Sequence, residues 1–268
     1  MMRTLLAVSL LVLTPARSCA ELEIKDIQSA LGERGPERHT LEYFPEDEIL
    51  IRYVVSGVRV DQEGKMDTRG KIRLTTAKGR VVREGDLKRQ QGFLALGGGS
   101  YPAYVFLSLP PQAPAGEYTV SVTVEDLLAS ATATFERKVR VKPVEFAIVA
   151  QRFYRDAEAK VPAAAGGVLG DLLYVRFRVI GFERGRGGCE VEMNLQVVDK
   201  QGKELLPKPL QVAFRNKDPA ELKKISHLNF DPNFALNRVG DFTLCISVTD
   251  KIAGKTTKFE APLHVTAP

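Results

Sequence analysis

Several kinds of residue are scarce in this chain of 268 residues, and each scarcity argues against a class of function. Tryptophan is absent, which weighs against a sugar-binding surface built on broad aromatic faces. No stretch after the N-terminus approaches the roughly 20 apolar residues of a transmembrane helix. The three histidines, His39, His227 and His264, lack metal-ligand spacing with one another or with cysteine. We therefore expect no metal, no cofactor and no membrane-spanning segment in the mature chain.

Charge is nearly balanced along the sequence. There are 38 basic and 33 acidic residues, and two of the basic ones, Arg3 and Arg17, lie within the first 20 residues. The remaining excess is scattered along both halves and does not form a basic patch or stripe. Nucleic-acid binding needs such a concentrated basic surface, so we expect no nucleic-acid partner.

The N-terminus has the layout of a bacterial secretory signal peptide. Arg3 supplies the positive region, residues 5–13 are apolar, and small residues end at Ala20. We expect residues 1–20 to be removed and the protein to be exported to the periplasm, cell surface or medium. Lipidation at Cys19 is the alternative, but Arg17 fits a lipoprotein signal poorly.

The mature chain contains an internal repeat. The segment 116–126 (GEYTVSVTVED) reappears 124 residues later at 240–250 (GDFTLCISVTD), and matches at this offset extend from the first strand of each half to the last. The sequence therefore predicts two domains related by duplication, at residues 21–143 and 144–268.

Each half shows the pattern of half-buried β-strands. Apolar residues alternate with polar or outward-facing ones at 49–55, 118–124 and 173–179, and glycines and prolines interrupt the runs. Helical periodicity is limited to a short turn at 219–224. Many strands without crossover helices indicate an all-β fold, with antiparallel sheets packed face to face in two tandem sandwiches.

The segment 116–120 resembles the entry to the F strand of immunoglobulin-like domains, and with its flanking residues it resembles Ig-like modules of bacterial exported proteins. In that family a tyrosine, here Tyr118, forms a corner by bonding back to the backbone. The likeness implies an Ig-like fold for both halves. Val120 and Leu244 replace the inter-sheet cysteine, and Phe242 lacks the corner hydroxyl, so antibody-type recognition is not implied.

Two cysteines remain in the mature chain, Cys189 and Cys245. Export would permit a disulfide between them, and this pair is a candidate bond. The alternative is two separate thiols, because alternation places Cys189 toward the core and Cys245 toward solvent, and opposite faces cannot be bridged without a bulge.

Catalytic motifs are not recognisable. Ser100 follows three glycines but lacks the strand–turn–helix context of a nucleophile elbow, and the same glycines lack the helix and lysine of a phosphate loop. Asp126 and Asp250 recur at one repeat position, where a turn-forming role is favoured over calcium binding. We therefore predict no catalytic residues.

These observations favour a non-enzymatic exported interaction or structural protein. Its two Ig-like domains would present loops or sheet edges to a protein partner in the cell envelope. The alternatives are a ligand- or carbohydrate-binding accessory module and a periplasmic chaperone-like protein; hydrolase activity ranks last.

Overall fold

The computed structural model describes residues 21–185 and 188–268, so the predicted leader at 1–20, with Cys19, lies outside the described residues. The described chain is almost wholly β, with one four-residue helix. The predicted all-β class is confirmed, and sheets face one another across buried apolar side chains as in a β-sandwich.

The first half, residues 21–143, forms two sheets. One has the strand order β1-β3-β6 and the other β2-β8-β7-β4-β5. The strands are β1 Glu23–Ser29, β2 Glu42–Tyr43, β3 Glu48–Ser56, β4 Lys65–Thr76, β5 Val81–Phe93, β6 Tyr101–Ser108, β7 Gly116–Asp126 and β8 Ala131–Val141.

The second half, residues 144–268, repeats this arrangement. Its strands are β9 Ala147–Tyr154, β10 Gly166–Val168, β11 Leu172–Ile180, β12 Cys189–Asp199, β13 Leu210–Asn216, β14 Leu228–Phe230, β15 Asn233–Ala235, β16 Gly240–Asp250 and β17 Lys255–Thr266; helix α1 is Pro219–Leu222. One sheet has the order β10-β17-β16-β12-β13, and in the other β11 pairs with β9 on one side and with β14 and β15 on the other.

Strands β14 and β15 together occupy the place of β6. They pair with opposite ends of β11, and Asp231 and Pro232 separate them. The Pro232 carbonyl still accepts a hydrogen bond from Val175 N at 2.9 Å, but proline has no N–H to donate. The break therefore leaves this edge without a continuous row of donors.

The buried apolar residues of the two halves fall into separate clusters. The predicted inward residues of β3, β7 and β11 are buried, among them Ile51, Val120, Val122 and Val175 at no measurable exposure. The two main clusters of buried apolar residues share no member: one is drawn from residues 22–141 and the other from 148–265. Period-two alternation thus predicted the buried faces correctly.

Strand pairings recur between the halves at the repeat offset of 124. Glu23 pairs with Ser56 as Ala147 pairs with Ile180. Gly116 pairs with Val141 as Gly240 pairs with Val265. The bulge in β1 near Asp26, at φ 50°, has its counterpart in β9 at Ala150, at φ 53°.

The prediction of antiparallel sheets needs one correction. β2 runs parallel to β8, and β10 runs parallel to β17. In each half the chain leaves the first strand, crosses to the opposite sheet and continues there beside the last strand. Because these pairings are only two and three residues long, they leave no periodic signal in the sequence.

The tyrosine corner implied by the Ig-like resemblance is present in the first half. The hydroxyl of Tyr118 donates to the carbonyl of Pro114 at 2.7 Å. In the second half the guanidinium of Arg238, at the repeat position of Pro114, lies 5.2 Å from the ring centre of Phe242. A cation–π contact therefore stands where the hydrogen bond is lost.

Asp126 and Asp250 make the same set of bonds in the two halves. Oδ1 of Asp126 accepts from the backbone N–H groups of Leu128 and Ala129, and its Oδ2 accepts from Arg59 N at 2.7 Å. The Asp250 carboxylate accepts equivalently from Ile252, Ala253 and Glu183. Each aspartate shapes a hairpin turn and binds it to a loop of the same half. For Asp126 this is the loop after β3, and for Asp250 it is the loop after β11.

Candidate interaction surfaces

The two cysteines predicted as a candidate pair are free thiols in the structure. Cys189 lies opposite Asn216, whereas Cys245 lies opposite Gln196, seven positions further along β12 and so about 23 Å away. Cys189 is buried on the core face, and burial raises the pKa of its thiol to about 11. The candidate disulfide is therefore not formed, because distance and orientation both oppose it.

The structure does not assemble a catalytic group from the residues weighed in the sequence. The hydroxyl of Ser100 lies 3.0 Å from that of Ser56, with no histidine or carboxylate among its hydrogen-bond partners. His264 contacts Asp241 and His227 contacts Glu46. Within residues 21–185 and 188–268, no three His, Cys, Asp or Glu side chains are grouped to hold a metal ion.

A turn in the first half joins it to the second. We call residues 44–48, from the end of β2 to the first residue of β3, the junction turn. Asp47 is 1% exposed, and its Oδ1 accepts from Glu48 N at 2.8 Å and from Ala150 N at 2.9 Å. Its Oδ2 accepts from Arg38 at 2.7 Å. One buried carboxylate thus binds both its own turn and the bulge of β9.

Apolar contacts reinforce the junction turn. Phe44 packs against Ala147, Val149 and Ile180, which form a small buried cluster apart from the two main cores. β9 is accordingly buried along nearly its whole length, whereas its counterpart β1 is largely exposed. The second half covers the junction turn through the start of its first strand.

Ion pairs surround the same contact. The Glu48 carboxylate pairs with Arg152 and, at 3.9 Å, with Arg178. Arg178 also donates to the carbonyl of Glu46 at 3.1 Å, and His227 contacts the Glu46 carboxylate. The Glu48 carboxylate therefore faces arginines of the second half, and the Glu46 carboxylate contacts a histidine there.

Glu48, Arg152 and Arg178 line a cleft of about 370 Å³ beside the junction turn. Arg152, Arg176 and Arg178 converge there, which suggests an anion site. Each guanidinium, however, is already paired: the first and third with Glu48, and Arg176 with Asp231 at 2.9 Å. The cleft is a network of satisfied charges.

The second half contains the same turn at residues 168–172, which we call the terminal turn. Asp171 N donates to Val168 O at 3.0 Å, as Asp47 N donates to Phe44 O at 3.1 Å. Oδ2 of Asp171 accepts from Val168 N at 2.8 Å and contacts Arg155. The Val168 N–H and Arg155 lower the pKa of Asp171.

Sequence reasoning missed both turns. The available signal was the recurrence of aspartate at positions 47 and 171, at the repeat offset. It is one matching residue in otherwise dissimilar segments, so it did not distinguish these positions from chance identities.

The free sheet edges differ between the halves. β5, at one edge of the first half, carries five charged residues between Arg83 and Arg89 and meets β4 with two irregularities in register. β13, at the matching edge of the second half, has no charged residue from Leu210 to Phe214. A long uncharged edge offers unpaired backbone groups to an incoming strand.

The side chains of β13 are also incompletely covered. Leu210 and Val212 lie opposite Leu195 and Met193, which are buried. Opposed residues share a face of the sheet, yet Leu210 and Val212 remain 39% and 42% exposed. β13 therefore combines a free backbone edge with an uncovered apolar row.

Among the residues that the structure describes, none forms a helix with the length and hydrophobicity of a membrane span.

No family model matches the chain. A search of curated proteins also finds no match. Solved structures that align include red sea bream transglutaminase, at 10% identity and a TM-score of 0.27, over 92% of this chain and 31% of that one. The C-terminal domain of the AgI/II polypeptide BspA of Streptococcus agalactiae aligns at 11% identity and a TM-score of 0.29, over 90% of this chain and 99% of that one. Both TM-scores are too low for either likeness to bear on function.

Proposed function

We propose that this protein is a non-enzymatic, exported interaction or structural protein that binds a protein partner in the cell envelope. Residues 21–143 and 144–268 are two Ig-like sandwich domains derived from one duplicated unit. The recurrent pairings at the offset of 124 and the two separate cores support this division. The signal-like N-terminus supports export.

The observation that carries the proposal is the open edge of β13. An extended segment of a partner can pair with its free backbone groups, while alternate apolar side chains of that segment cover Leu210 and Val212. β13 has no charged side chain at these positions to repel such a strand, unlike β5. The partner is expected to contribute a short strand with apolar residues at every second position.

The test is recovery of cross-linked complexes from envelope extract with the tagged full chain. Val212→Lys places a charge in the middle of the uncovered row. Val82→Lys in β5 is the matched control, because Val82 is 43% exposed and Val212 is 42% exposed. The wild type and Val82→Lys should recover one partner at equal yield. Val212→Lys should reduce the yield of that partner at least about tenfold, because a buried charge opposes strand addition.

Two results would contradict the proposal. Equal recovery with Val212→Lys would remove the β13 edge as the site. Repeated recovery of the chain alone at native abundance would remove the interaction function itself.

One observation favours carbohydrate binding as a second candidate. Tyr104 and Phe106 lie two residues apart on β6, so they share a face, and both rings are half exposed. Exposed aromatic faces can stack on sugar rings. A glycan-array screen of the wild type beside Tyr104→Ala should then show binding that the variant loses; a blank array for the wild type excludes this candidate.

A further inference from the structure

The junction turn and the terminal turn are one structural element present twice. Each follows a short strand that runs parallel to the last strand of its half. Each contains a residue with positive φ, Glu46 at 66° and Gly170 at 98°, directly before its aspartate. The backbone bond that closes the turn is also the same in both.

The two turns differ in what covers them. In the junction turn Pro45, Glu46 and Asp47 are buried, because β9 lies against them. In the terminal turn the apolar residues are open to solvent: Val168, Leu169 and Leu172 are 38%, 39% and 47% exposed. The terminal turn is thus an uncovered copy of a contact that the chain makes internally.

We propose that the terminal turn, residues 168–172, is a docking surface for the end of a β-sandwich domain of another protein. That domain presents short apolar side chains on its first strand and a bulged backbone N–H, as β9 does. The proposal rests on the proposed function, because it assigns a second contact surface to an interaction protein.

The acceptor that such an N–H needs is in place. In the junction turn, Oδ1 of Asp47 accepts from Ala150 N while Oδ2 faces a cation. In the terminal turn Oδ2 of Asp171 faces Arg155, and within the described residues Oδ1 has no hydrogen-bond partner. The geometry therefore leaves the matching oxygen available.

The charges around the terminal turn define the partner further. In the junction turn the carboxylates of Glu46 and Glu48 have His227 and arginines opposite them. At the same places the terminal turn has Gly170 and Leu172. The partner face should therefore be apolar and uncharged.

A second copy of the unmodified chain does not meet these requirements. The first half carries Glu23, Lys25 and Ser56 where the second half carries Ala147, Val149 and Ile180. Asp26 stands in place of Ala150, and it would approach the carboxylate of Asp171. Charged side chains would be buried against an apolar turn, and head-to-tail docking is opposed.

This contrast supplies the probe for the test. Glu23→Ala, Lys25→Val, Asp26→Ala and Ser56→Ile, combined in the full chain, give the first half the docking face of the second. Leu172→Lys is added to the same chain, so that it can dock through the new face only. The wild type then offers only its terminal turn.

Mixing this probe with the wild type should give a one-to-one complex in sedimentation velocity, and the probe alone should not associate. The chain with Leu172→Lys as its single substitution should bind the probe at least about tenfold more weakly than the wild type does. Ile252→Lys is the matched control, because Ile252 is 42% exposed in the hairpin at the opposite end of the sandwich, and it should bind as the wild type does.

A mixture that sediments as two separate species overturns the proposal, as does a complex that Leu172→Lys leaves intact. If the fourfold variant fails to fold by circular dichroism, Lys25→Val with Asp26→Ala alone serves as the probe, and the same outcomes decide. The result is separable from the β13 test: a failed envelope pull-down leaves the engineered complex measurable, and a failed complex leaves the pull-down unaffected.

Discussion

Replacing Asp47 by alanine should destabilise the protein far more than the same change at Asp171. Asp47 is 1% exposed and accepts three hydrogen bonds, one from Arg38, whose side chain is 13% exposed. Burial by itself lowers the pKa of Arg38. The neighbouring Asp47 carboxylate raises the pKa of Arg38, and the net change is an increase. Removing the carboxylate leaves that guanidinium with the Glu42 carbonyl and the ring of Tyr43.

Leaving a buried charge without its partner typically costs about 3–5 kcal/mol, and we expect about 3 kcal/mol for Asp47→Ala because those two contacts remain. Asp47→Asn keeps an oxygen for Ala150 N and should lose about half as much. Asp171→Ala is the matched control: its carboxylate is 36% exposed, and water replaces the lost contacts.

The assay is urea unfolding followed by circular dichroism, with the free energy of unfolding taken from midpoint and slope. Equal loss in Asp47→Ala and Asp171→Ala would refute the reasoning, because it would mean that burial at the junction turn contributes nothing to the interaction.

Further expectations follow from other contacts. Tyr118→Phe removes the hydroxyl that donates to Pro114 O and should lower the free energy of unfolding by about 1 kcal/mol; an unchanged melting curve would contradict it. Asp126→Ala and Asp250→Ala each remove three backbone hydrogen bonds, and each should lower the free energy of unfolding by a similar amount, about 2–4 kcal/mol. A clearly larger loss in one variant than in the other would show that the two turns are not equivalent. Thiol titration of the chain without residues 1–20 should detect two free thiols after unfolding and no reaction of Cys189 in the native protein; no reactive thiol after unfolding would indicate a bond between Cys189 and Cys245. Because folding raises the pKa of Cys189 from 9.0 to about 11, its contribution to stability is present below pH 9 and is lost as the pH rises toward 11, and Cys189→Ala should flatten that slope.

Local patterns were sufficient for the strands and the hairpin turns. Side chains alternate across a strand whatever the surrounding fold, so the buried faces of Ile49–Val55 and Tyr118–Val124 followed from period two alone. The turn roles of Asp126 and Asp250 followed similarly, because an aspartate bonds to the backbone two residues on.

The contact surfaces could not be predicted in this way. Asp47 is buried because Ala150, 103 residues later, lies against it, and no local pattern encodes that contact. Leu210 and Val212 alternate like any core residues, but their exposure depends on how far the opposite sheet extends. Such features depend on tertiary placement, which a single sequence does not specify.

The break at Pro232 has a consequence for stoichiometry. The β14 and β15 edge lacks a donor at the proline, β6 contains Pro102, β5 is charged, and β1 is bulged near Asp26. Each of these interrupts the ladder that a further strand would need. Under the proposed pairing at β13, these features oppose the addition of further strands at the other edges, which favours a one-to-one complex over a polymer.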